Sequence, residues 1–306
     1  MPKCETVCIT DGGGRGAAIA HGYSKSAKVG KIVAIPGNDL MSMNLPDGFA
    51  FDRVPEKLAK ENAHKIAQAI CDKHATIADV CQDDAVAGGV VNYLEKWNIP
   101  VVGPTKEAGR VEWDKEWSRQ FMQKYGIAHP AFHSFHNPEE GVAFLRREPD
   151  QKWAVKASGL ALGKGVILAA NNEEAIAAVY KMKEFGDAGA TYLIEQFLEG
   201  EEFSAFAPCD GQYFKILGTA QDHKRLYDGD TGPNTGGMGC SSSPLIVTPD
   251  ILRQTNEILE KTFQGLSKEG CPYRGILYLG AMVVDGKVFV IEYNSRWGDQ
   301  IGRAHV

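Results

Sequence analysis

The sequence contains no apolar run close to the roughly 20 residues that a membrane-spanning helix needs. It also has no excess of positive charge, because 33 Lys and Arg face 39 Asp and Glu, for a formal net charge of −6. Nucleic-acid-binding proteins favour basic patches, so we expect neither a membrane nor a nucleic-acid partner. The charged start, with Lys3 and Glu5 ahead of a short apolar run, is not typical of a signal peptide, and we expect a cytoplasmic protein.

Cysteine is sparse and follows no pattern. The seven cysteines are scattered along the chain, without a Cys-x-x-Cys pair or the Cys/His spacing of a zinc site. We interpret them as small buried side chains in a reducing compartment. Neither a disulfide framework nor a zinc centre is expected.

What is present is the composition of a globular protein, with 43% hydrophobic and 24% charged residues, and a length of 306 that suits two domains. Strand and helix signals alternate over the first hundred residues, which predicts a parallel sheet covered by helices. Beyond Val111 the pattern changes to mixed helices, strands and glycine-rich turns. There we predict strands over 153–157, 165–169, 191–196 and 203–208, a polar glycine-rich loop over 221–243, a helix opening at Thr248-Pro249, and a hairpin formed by 276–284 and 287–293.

A glycine loop, Asp11 to Ala17, follows the first predicted strand and opens a helix. Backbone N–H groups at such a helix start can bind a phosphate or carboxylate, and Arg15 stands beside the glycines. The loop loosely fits a dinucleotide fingerprint, but Pro36-Gly37 replaces the acidic residue expected after the second strand, which argues against NAD. A tight structural turn is the competing interpretation.

A second glycine turn lies between Lys156 and Lys164 and joins two predicted strands. It is not a Walker A loop, because Ser158 and Gly165 stand where Gly and Ser/Thr are required. The glycines could allow close approach of a triphosphate, whose charge the lysines would offset. A solvated hairpin turn explains the same residues equally well.

The acidic segment 194–204 could present backbone groups to an adenine edge and a carboxylate to ribose, although a hairpin with a solvated tip fits it too. The segment 221–239 combines cations with glycines, as a lid over an anionic substrate would. Long loops inside compact domains are usually functional or disordered, and this composition favours function.

The strand near the end of the chain is the candidate metal site. Glu292 and Asn294 point to the same side of a strand, and two oxygen ligands beside bound phosphates suit Mg²⁺. Arg296 follows on that face, where it could hold a carboxylate or an acyl phosphate. A polar face on an edge strand is the alternative.

The lysine-flanked turn, acidic hinge, cationic lid and Glu-x-Asn strand occur in the order that ATP-grasp enzymes use. The chain resembles most closely the phosphoribosylamine–glycine ligase family, densely from about 103 to 299. The strings that carry the resemblance are FGDAG (185–189), QDHKR (221–225), TGPNTGGMG (231–239) and EYN (292–294). The resemblance implies an α/β protein: an N-terminal Rossmann-like parallel sheet over 1–104, then a two-lobed α+β ATP-grasp domain over 105–300 with its small lobe over about 124–195. The resemblance also implies a further C-terminal domain, which we expect this chain to lack.

In that family ATP phosphorylates glycine, and the amine of phosphoribosylamine attacks the acyl phosphate to give glycinamide ribonucleotide. The resemblance implies ATP with Mg²⁺ or Mn²⁺ held by Glu292 and Asn294, and we expect a monomer. ATP would contact Lys115, Lys156, Gly163, Lys164, Gly165, Glu195, Gln196, Phe197, Leu198 and Glu202, with the lysines on phosphates, 195–198 on adenine and Glu202 on ribose. Catalysis would involve Arg296, Asp222, Lys224 and Arg225; substrates would contact Gly13, Gly14, Arg15, Asn234, Thr235, Gly236, Gly237, Gly298 and Asp299.

The chain departs from the family pattern at three places, one of which is the last motif, where Gly298-Asp299 is not followed by the usual Pro-Glu. Gly16-Ala17 replaces the usual Glu-His, and Cys81-Gln82-Asp83 replaces Gly-Pro-Glu, so the amine substrate is less secure than the ATP chemistry. The alternatives are a ligase for another amino acid and amine, a nucleotide-binding protein without catalysis, and, weakest, a dehydrogenase. Residues 301–306 can be encoded as ATC GGA AGA GCA CAC GTC, the start of a widely used sequencing adapter, and we expect them to be an artefact.

Overall fold

The computed structural model describes residues 5–161, 164–229 and 231–299, and within the last range the side chains at 233, 234 and 236 are left aside. Three sheets follow one another along the chain. The first is parallel and the other two are antiparallel, which confirms the predicted fold class. None of the helices in the described ranges is both long and apolar enough to span a membrane.

The first sheet has the order β3-β2-β1-β4-β5, and its strands alternate with helices. Its elements are β1 (Glu5–Asp11), α1 (Gly14–Ser24), β2 (Val29–Pro36), β3 (Ala50–Arg53), α2 (Ala63–Asp72), β4 (Ile77–Asp79), α3 (Asp83–Gly88), α4 (Val90–Lys96) and β5 (Val101–Val102). The chain moves outward from β1 to β3 and returns to β4 on the other side of β1. In such sheets the crevice at the carboxyl ends of the two central strands is where ligands bind. Both Asp11 and Asp79 end their strands at this crevice.

Two short helices link this sheet to the rest of the protein: α5 (Arg110–Trp113) and α6 (Lys115–Lys124). The side chain of Asp114 caps α6 by accepting a hydrogen bond from the backbone N–H of Trp117 at 3.1 Å. The first and third sheets also meet directly at two glycines. A Cβ on Gly275 would lie 2.7 Å from the Cα of Gly103, so the two backbones can approach this closely only without a side chain there.

The second sheet is small and has the order β6-β9-β7-β8. It comprises β6 (Phe132–Phe135), α7 (Pro138–Leu145), β7 (Trp153–Ala157), β8 (Val166–Ala169), α8 (Asn172–Lys181) and β9 (Tyr192–Gln196). The capping signal at Asn171 is confirmed, because its side chain accepts from the N–H of Glu174 at 2.9 Å. We refer to this sheet and its helices as the small lobe.

The third sheet has the order β12-β11-β10-β13-β14 and packs against one long helix. It comprises β10 (Glu201–Asp210), β11 (Gly218–Tyr227), β12 (Thr231–Ser241), α9 (Pro249–Lys268), β13 (Arg274–Val284) and β14 (Lys287–Asn294). Thr248 caps α9, and the final hairpin turns at Asp285-Gly286, both of which have positive φ. We refer to this sheet with α9 as the large lobe.

The predicted loop over 221–243 is wrong. Those residues form most of the hairpin of β11 and β12, with Gln221 opposite Ser241 and Asp222 opposite Cys240. The glycines of β12 supply no alternating apolar side chains, so the strand depends on backbone pairing that the pattern did not reveal. The strands β3 and β6 were not predicted either, because neither of these four-residue segments carries a run of apolar residues.

Candidate active site

The strand β14 contributes the proposed metal ligands. Asn294 is buried, and Glu292 is half-buried opposite Gly280 on β13. Gly280 leaves room for the carboxylate, because a Cβ there would lie 3.0 Å from the Cγ of Glu292. The pairing of the two strands is irregular here: Glu292 is opposite Gly280, but Val290 is opposite Ala281, which leaves Ile291 as an extra residue. The strand therefore carries a β-bulge directly before Glu292.

Four cations converge on Glu292. Burial alone would raise the pKa of this carboxyl, but the charges of Lys224, Lys156, Lys115 and Arg296 together lower it. These residues come from β11, β7, α6 and the segment after β14, so the fold gathers them from both lobes and from the helix that links the first sheet to them. An ionised carboxylate among several cations is an arrangement suited to a polyanionic ligand and a metal ion.

Lys115 is the first residue of α6 and lies against the glycine turn. Its backbone N–H donates to the carbonyl of Ser158 at 3.0 Å, and its Nζ donates to the carbonyl of Gly159 at 3.3 Å. Burial lowers the pKa of Lys115, and the attraction of Glu292 acts in the opposite sense. These contacts place the lysine beside the turn that was expected to bind phosphates.

Lys156 is almost completely buried and points toward β9. Its Nζ lies 2.7 Å from the Oε2 of Glu195, whose other partner is Arg119 on α6, with Nε 2.7 Å from Oε1. Burial would raise the pKa of Glu195, but Arg119 and Lys156 lower it to about 2. The carboxylate of Glu195 thus holds Lys156 in place, and only the backbone of this residue is available for the predicted adenine contact.

Lys224 and Glu202 form a pair on neighbouring strands, with Nζ 2.5 Å from Oε2. Burial would lower the pKa of Lys224, but Glu202 and Glu292 raise it above its usual value. Both residues line a narrow pocket together with Asp222 and Glu292. The predicted ribose ligand and the predicted lid lysine are therefore adjacent to the proposed metal ligand.

Arg225 takes part in the same hairpin but not in this pocket. Its Nη1 donates to the carbonyl of Gly232 at 2.7 Å, across the β11–β12 turn. The hydroxyl of Thr235 donates to the carbonyl of Lys224 at 2.9 Å and accepts from the N–H of Gly237 at 3.0 Å. These contacts hold the hairpin in shape.

Arg296 connects the metal strand to the first sheet. Its Nη2 donates to the Oδ1 of Asn294 at 3.0 Å, and its Nε lies 3.3 Å from the buried carboxylate of Glu112. Its Nη1 donates to the carbonyl of Trp297 at 3.1 Å, and the Nη1 of Arg15 donates to the same carbonyl at 3.2 Å. One backbone oxygen therefore joins the arginine of the glycine loop to that of the large lobe.

The glycine loop at the start of α1 is satisfied internally. The Oδ1 of Asp11 accepts from the N–H groups of Gly13 at 2.5 Å and Gly16 at 3.2 Å. Its Oδ2 lies 2.6 Å from the Nη2 of Arg15. A carboxylate of the protein thus takes up part of the helix start that was expected to bind an anion; Gly14 adds no side chain and faces open space at its Cβ position.

The remaining predicted residues take no part in the contacts given above for the cation cluster, or they lie outside the described residues. Lys164 is exposed, and its N–H donates to Ala161, while Gly165 is buried against Ala161. Gln196 is exposed, Phe197 lies under the Nζ of Lys152, and Leu198 is half-buried. Gly298 is buried and Asp299 exposed. Gly163 and residues 301–306 are not among the described residues, and for Asn234 and Gly236 only the backbone is described.

The sequence did not reveal Arg119 and Glu112 as site residues. Both are buried on the short helices α5 and α6, where they pair with groups far along the chain: Arg119 with Glu195 and Glu112 with the N–H of Ser295. The only local signal was the position of Arg119 one helical turn after Lys115, on the same face. Charged residues are rarely buried unless paired, so their burial is the informative observation.

The site has features that fit a divalent cation. The Nδ2 of Asn294 is a buried donor without a hydrogen-bond partner among the described residues, whereas its Oδ1 accepts from the Nη2 of Arg296 at 3.0 Å and keeps a second lone pair for a cation. Glu292 makes no ion pair within 4 Å among the described residues. The same residues contain no group of three His, Cys, Asp or Glu able to hold a metal alone. A cation would thus need phosphate oxygens as well, which is the mixed coordination that Mg²⁺ favours.

The fold and this cluster define an ATP-grasp ligase. The family model "Phosphoribosylglycinamide synthetase, N domain" matches residues 5–112, and "Phosphoribosylglycinamide synthetase, ATP-grasp (A) domain" matches residues 113–301. The chain belongs to the phosphoribosylglycinamide synthetase family, and the resemblance read from the motifs is confirmed.

Similarity to individual proteins agrees with this family assignment. A phosphoribosylamine–glycine ligase of Streptococcus pneumoniae is 39% identical over 296 residues, covering 95% of this chain and 68% of the relative. A trifunctional purine biosynthetic protein adenosine-3 of Drosophila melanogaster is 39% identical over 302 residues, covering 96% of this chain and 22% of the relative. The crystal structure of phosphoribosylamine–glycine ligase from Thermotoga maritima superposes with a TM-score of 0.82 at 33% identity, covering 97% of this chain and 70% of that one.

Proposed function

We propose that this enzyme joins glycine to 5-phosphoribosylamine at the expense of ATP. The terminal phosphoryl group of ATP passes to the glycine carboxylate, giving glycyl phosphate and ADP. The amine nitrogen then attacks the carbonyl carbon, loses a proton, and expels phosphate to leave glycinamide ribonucleotide. This is the reaction expected of a family member, and it belongs to purine synthesis.

The observation that carries the proposal is the convergence of four cations on Glu292. Lys115, Lys156 and Lys224 come from different elements yet all lower the pKa of that carboxyl, together with Arg296. A loose phosphoryl-transfer transition state spreads charge over the phosphoryl oxygens, so positioning and charge neutralisation do most of the catalytic work. The cluster supplies both.

For ATP, we assign the phosphates to Lys115 and Lys156, with Lys164 and Gly165 of the glycine turn covering them. The backbone of 195–198 would meet adenine, and Glu202 would meet the ribose, since the Nζ of its neighbour Lys224 orients the carboxylate from 2.5 Å. Glu292 and Asn294 would hold Mg²⁺ or Mn²⁺, which would supply further neutralisation of phosphate charge. The Oδ1 of the buried Asn294 supports this assignment, because it accepts a hydrogen bond from Arg296 at 3.0 Å and keeps a second lone pair for a cation.

For the other substrates, we assign the glycine carboxylate to Arg296 and the phosphoribosylamine to the space between Arg15 and the β11–β12 hairpin. Support comes from the shared Trp297 carbonyl, which brings Arg15 and Arg296 to one point. Gly13, Gly14, Asp222 and Lys224 would border this space. Arg225 would act on the hairpin's shape, since it is bonded to the carbonyl of Gly232.

A second candidate is ligation of glycine or another amino acid to a different amine. One observation favours it. A Cβ on Gly16 would lie 2.6 Å from the Cε of Met41 and 2.8 Å from the Cβ of Asp11, so the acidic residue usual in the family does not fit here without a shift. At the other departure, Gln82 caps α3 by accepting from the N–H of Ala85 at 3.0 Å, and its Nε2 donates to Asp83 at 2.6 Å.

The test is ADP release from ATP and Mg²⁺ with glycine and phosphoribosylamine, each substrate also omitted in turn. Release that needs both substrates supports the proposal. Release only with another acid and amine from a substrate panel supports the second candidate. ATP binding without ADP release on any pair would indicate a nucleotide-binding protein without ligase activity. We further propose a monomer working in the cytoplasm, which light scattering and cell fractionation check.

A further inference from the structure

Arg119 is a buried charged side chain beside the site, and the proposed chemistry does not use it directly. Only 4% of the side chain is exposed. Its Nε and Nη2 hold both oxygens of Glu195 at 2.7 and 3.0 Å. Its Nη2 also donates to the carbonyl of Ile291 at 2.6 Å, and its Nη1 donates to Met122 at 3.3 Å and Val290 at 3.5 Å. The contacts thus use all five donors of the guanidinium.

The carboxylate that Arg119 holds is the same one that holds Lys156. Oε2 of Glu195 receives Nη2 of Arg119 at 3.0 Å and Nζ of Lys156 at 2.7 Å. Glu195 lies on β9 and Lys156 on β7, in the small lobe. Removing Arg119 would leave Glu195 with a single partner, and Lys156 would lose the rigid support that fixes its ammonium group.

The carbonyl that Arg119 holds belongs to the bulge before Glu292. Ile291 is the extra residue in the β13–β14 pairing, so its carbonyl needs a partner outside the regular ladder. Arg119 supplies that partner at 2.6 Å. A bulge re-aims the neighbouring side chain, and here the neighbouring side chain is Glu292.

We propose that Arg119 is a positioning residue that fixes Lys156 in the small lobe and Glu292 in the large lobe relative to each other. It acts through Glu195 on the lysine and through the Ile291 carbonyl on the bulge. The inference rests on the proposed ATP and metal site, because it concerns how two of that site's residues are held. A residue with a structural role only would support folding and leave the affinity of the folded site unchanged.

The experiment measures two dissociation constants on the same proteins. The first is the dissociation constant of a non-hydrolysable ATP analogue in the absence of metal. It is measured by calorimetry and reports on Lys156. The other is that of Mn²⁺ with the analogue saturating, measured by electron paramagnetic resonance, which reports on Glu292. Arg119→Lys keeps the charge but cannot bind both oxygens of Glu195 and the Ile291 carbonyl at once. Both dissociation constants should therefore rise about tenfold or more, as is usual when a supporting contact is lost.

Two further variants separate the two arms. Glu195→Gln weakens the arm to Lys156 but keeps the contact between Arg119 and the Ile291 carbonyl, so the analogue should bind about tenfold more weakly while the Mn²⁺ constant changes much less. The double variant Arg119→Met, Glu195→Met replaces the buried pair by apolar side chains of similar length, which proteins often tolerate, and provides folded protein if the single variants unfold. In it both constants should weaken. The control is Arg253→Lys, an exposed arginine that also contacts two carboxylates, Asp250 and Glu257.

An unchanged constant for either ligand in folded Arg119→Lys, or in the double variant, overturns the proposal. A lower melting temperature with wild-type constants would assign Arg119 a purely structural role. Wild-type protein that binds neither the analogue nor Mn²⁺ would instead remove the proposed function, and with it this inference. The two failures are therefore distinguishable.

Discussion

The glycine loop of the first sheet and the cation cluster around Glu292 are both rich in charge, but they use it differently. In the loop, Asp11 pairs with Arg15 at 2.6 Å and accepts two backbone N–H groups, so its charges are neutralised within the protein. In the cluster, Glu292 faces four cations without an ion pair within 4 Å among the described residues, and the amide of Asn294 has an unpartnered atom. Lys156, Lys224 and Arg296 have carboxylate partners of their own, so the difference lies in Glu292, which can engage a ligand without breaking an ion pair.

The largest effect should come from Glu292→Ala. We expect turnover to fall by about 100- to 1000-fold, because charge stabilisation at the transferring phosphoryl group is lost. The folded structure should persist, since the side chain is only half-buried, and analogue binding without metal should not weaken, because the lysines remain. Glu257→Ala, on the exposed face of α9, is the matched control. Near-normal turnover in Glu292→Ala would contradict the metal site.

Asp79 should govern a pH dependence of folding in the first sheet. Burial raises the pKa of Asp79 to about 6, although hydrogen bonds from Tyr23 and Trp297 lower it. The unfolded value is about 3.9, so the stabilisation is fully present below about pH 4 and is lost as the pH rises through about 6. The loss amounts to about 3 kcal/mol for two pKa units.

Asp79→Asn cannot ionise, so its unfolding free energy relative to wild type should rise by about 3 kcal/mol between pH 4 and pH 8. Urea unfolding at both pH values measures this. Affinity for the ATP analogue at pH 8 should stay unchanged, because the residue belongs to the internally satisfied region. Parallel stability curves for the two proteins would show that Asp79 carries no such shift.

Lys156→Met should have a smaller effect than these changes, and we expect it in the affinity for the ATP analogue. A hydrogen bond to a charged group contributes about 2 kcal/mol, which corresponds to roughly 30-fold weaker binding of the ATP analogue. Methionine preserves most of the buried length. Lys152→Met changes a lysine on the same stretch whose side chain is 54% exposed and pairs with Glu199, and its affinity should be that of wild type. Equal affinities for both variants would remove Lys156 from the phosphate site.

Asp11→Asn should have the smallest effect. The amide keeps an acceptor for the N–H groups of the loop but loses the charge opposite Arg15, and we expect a loss of roughly 1–2 kcal/mol of unfolding free energy. Analogue affinity should not change. If Asp11→Asn instead tightened the binding of phosphoribosylamine, the loop would be a site that its own carboxylate partly blocks.

Local signals made much of the fold predictable. Thr248-Pro249 opens α9 and Asp285-Gly286 turns the last hairpin, as expected, because caps and turns depend on neighbouring residues. The Glu-x-Asn spacing placed Glu292 and Asn294 on one strand. The strand β12 was missed because its glycines carry no periodic signal, and Arg119 was missed because its partner is 76 residues away. Long-range pairing is set by topology, which no local window contains.

The carbonyl of Trp297 has a consequence for how this site can change by mutation. It accepts from both Arg15 and Arg296, yet it belongs to the backbone, so every amino acid at position 297 supplies the same oxygen. Replacing the indole would remove its contact to Asp79 and its packing, but not the atom on which the two arginines meet. Substitutions at position 297 can therefore change the side-chain packing around the two arginines. They cannot remove the backbone oxygen that accepts from both.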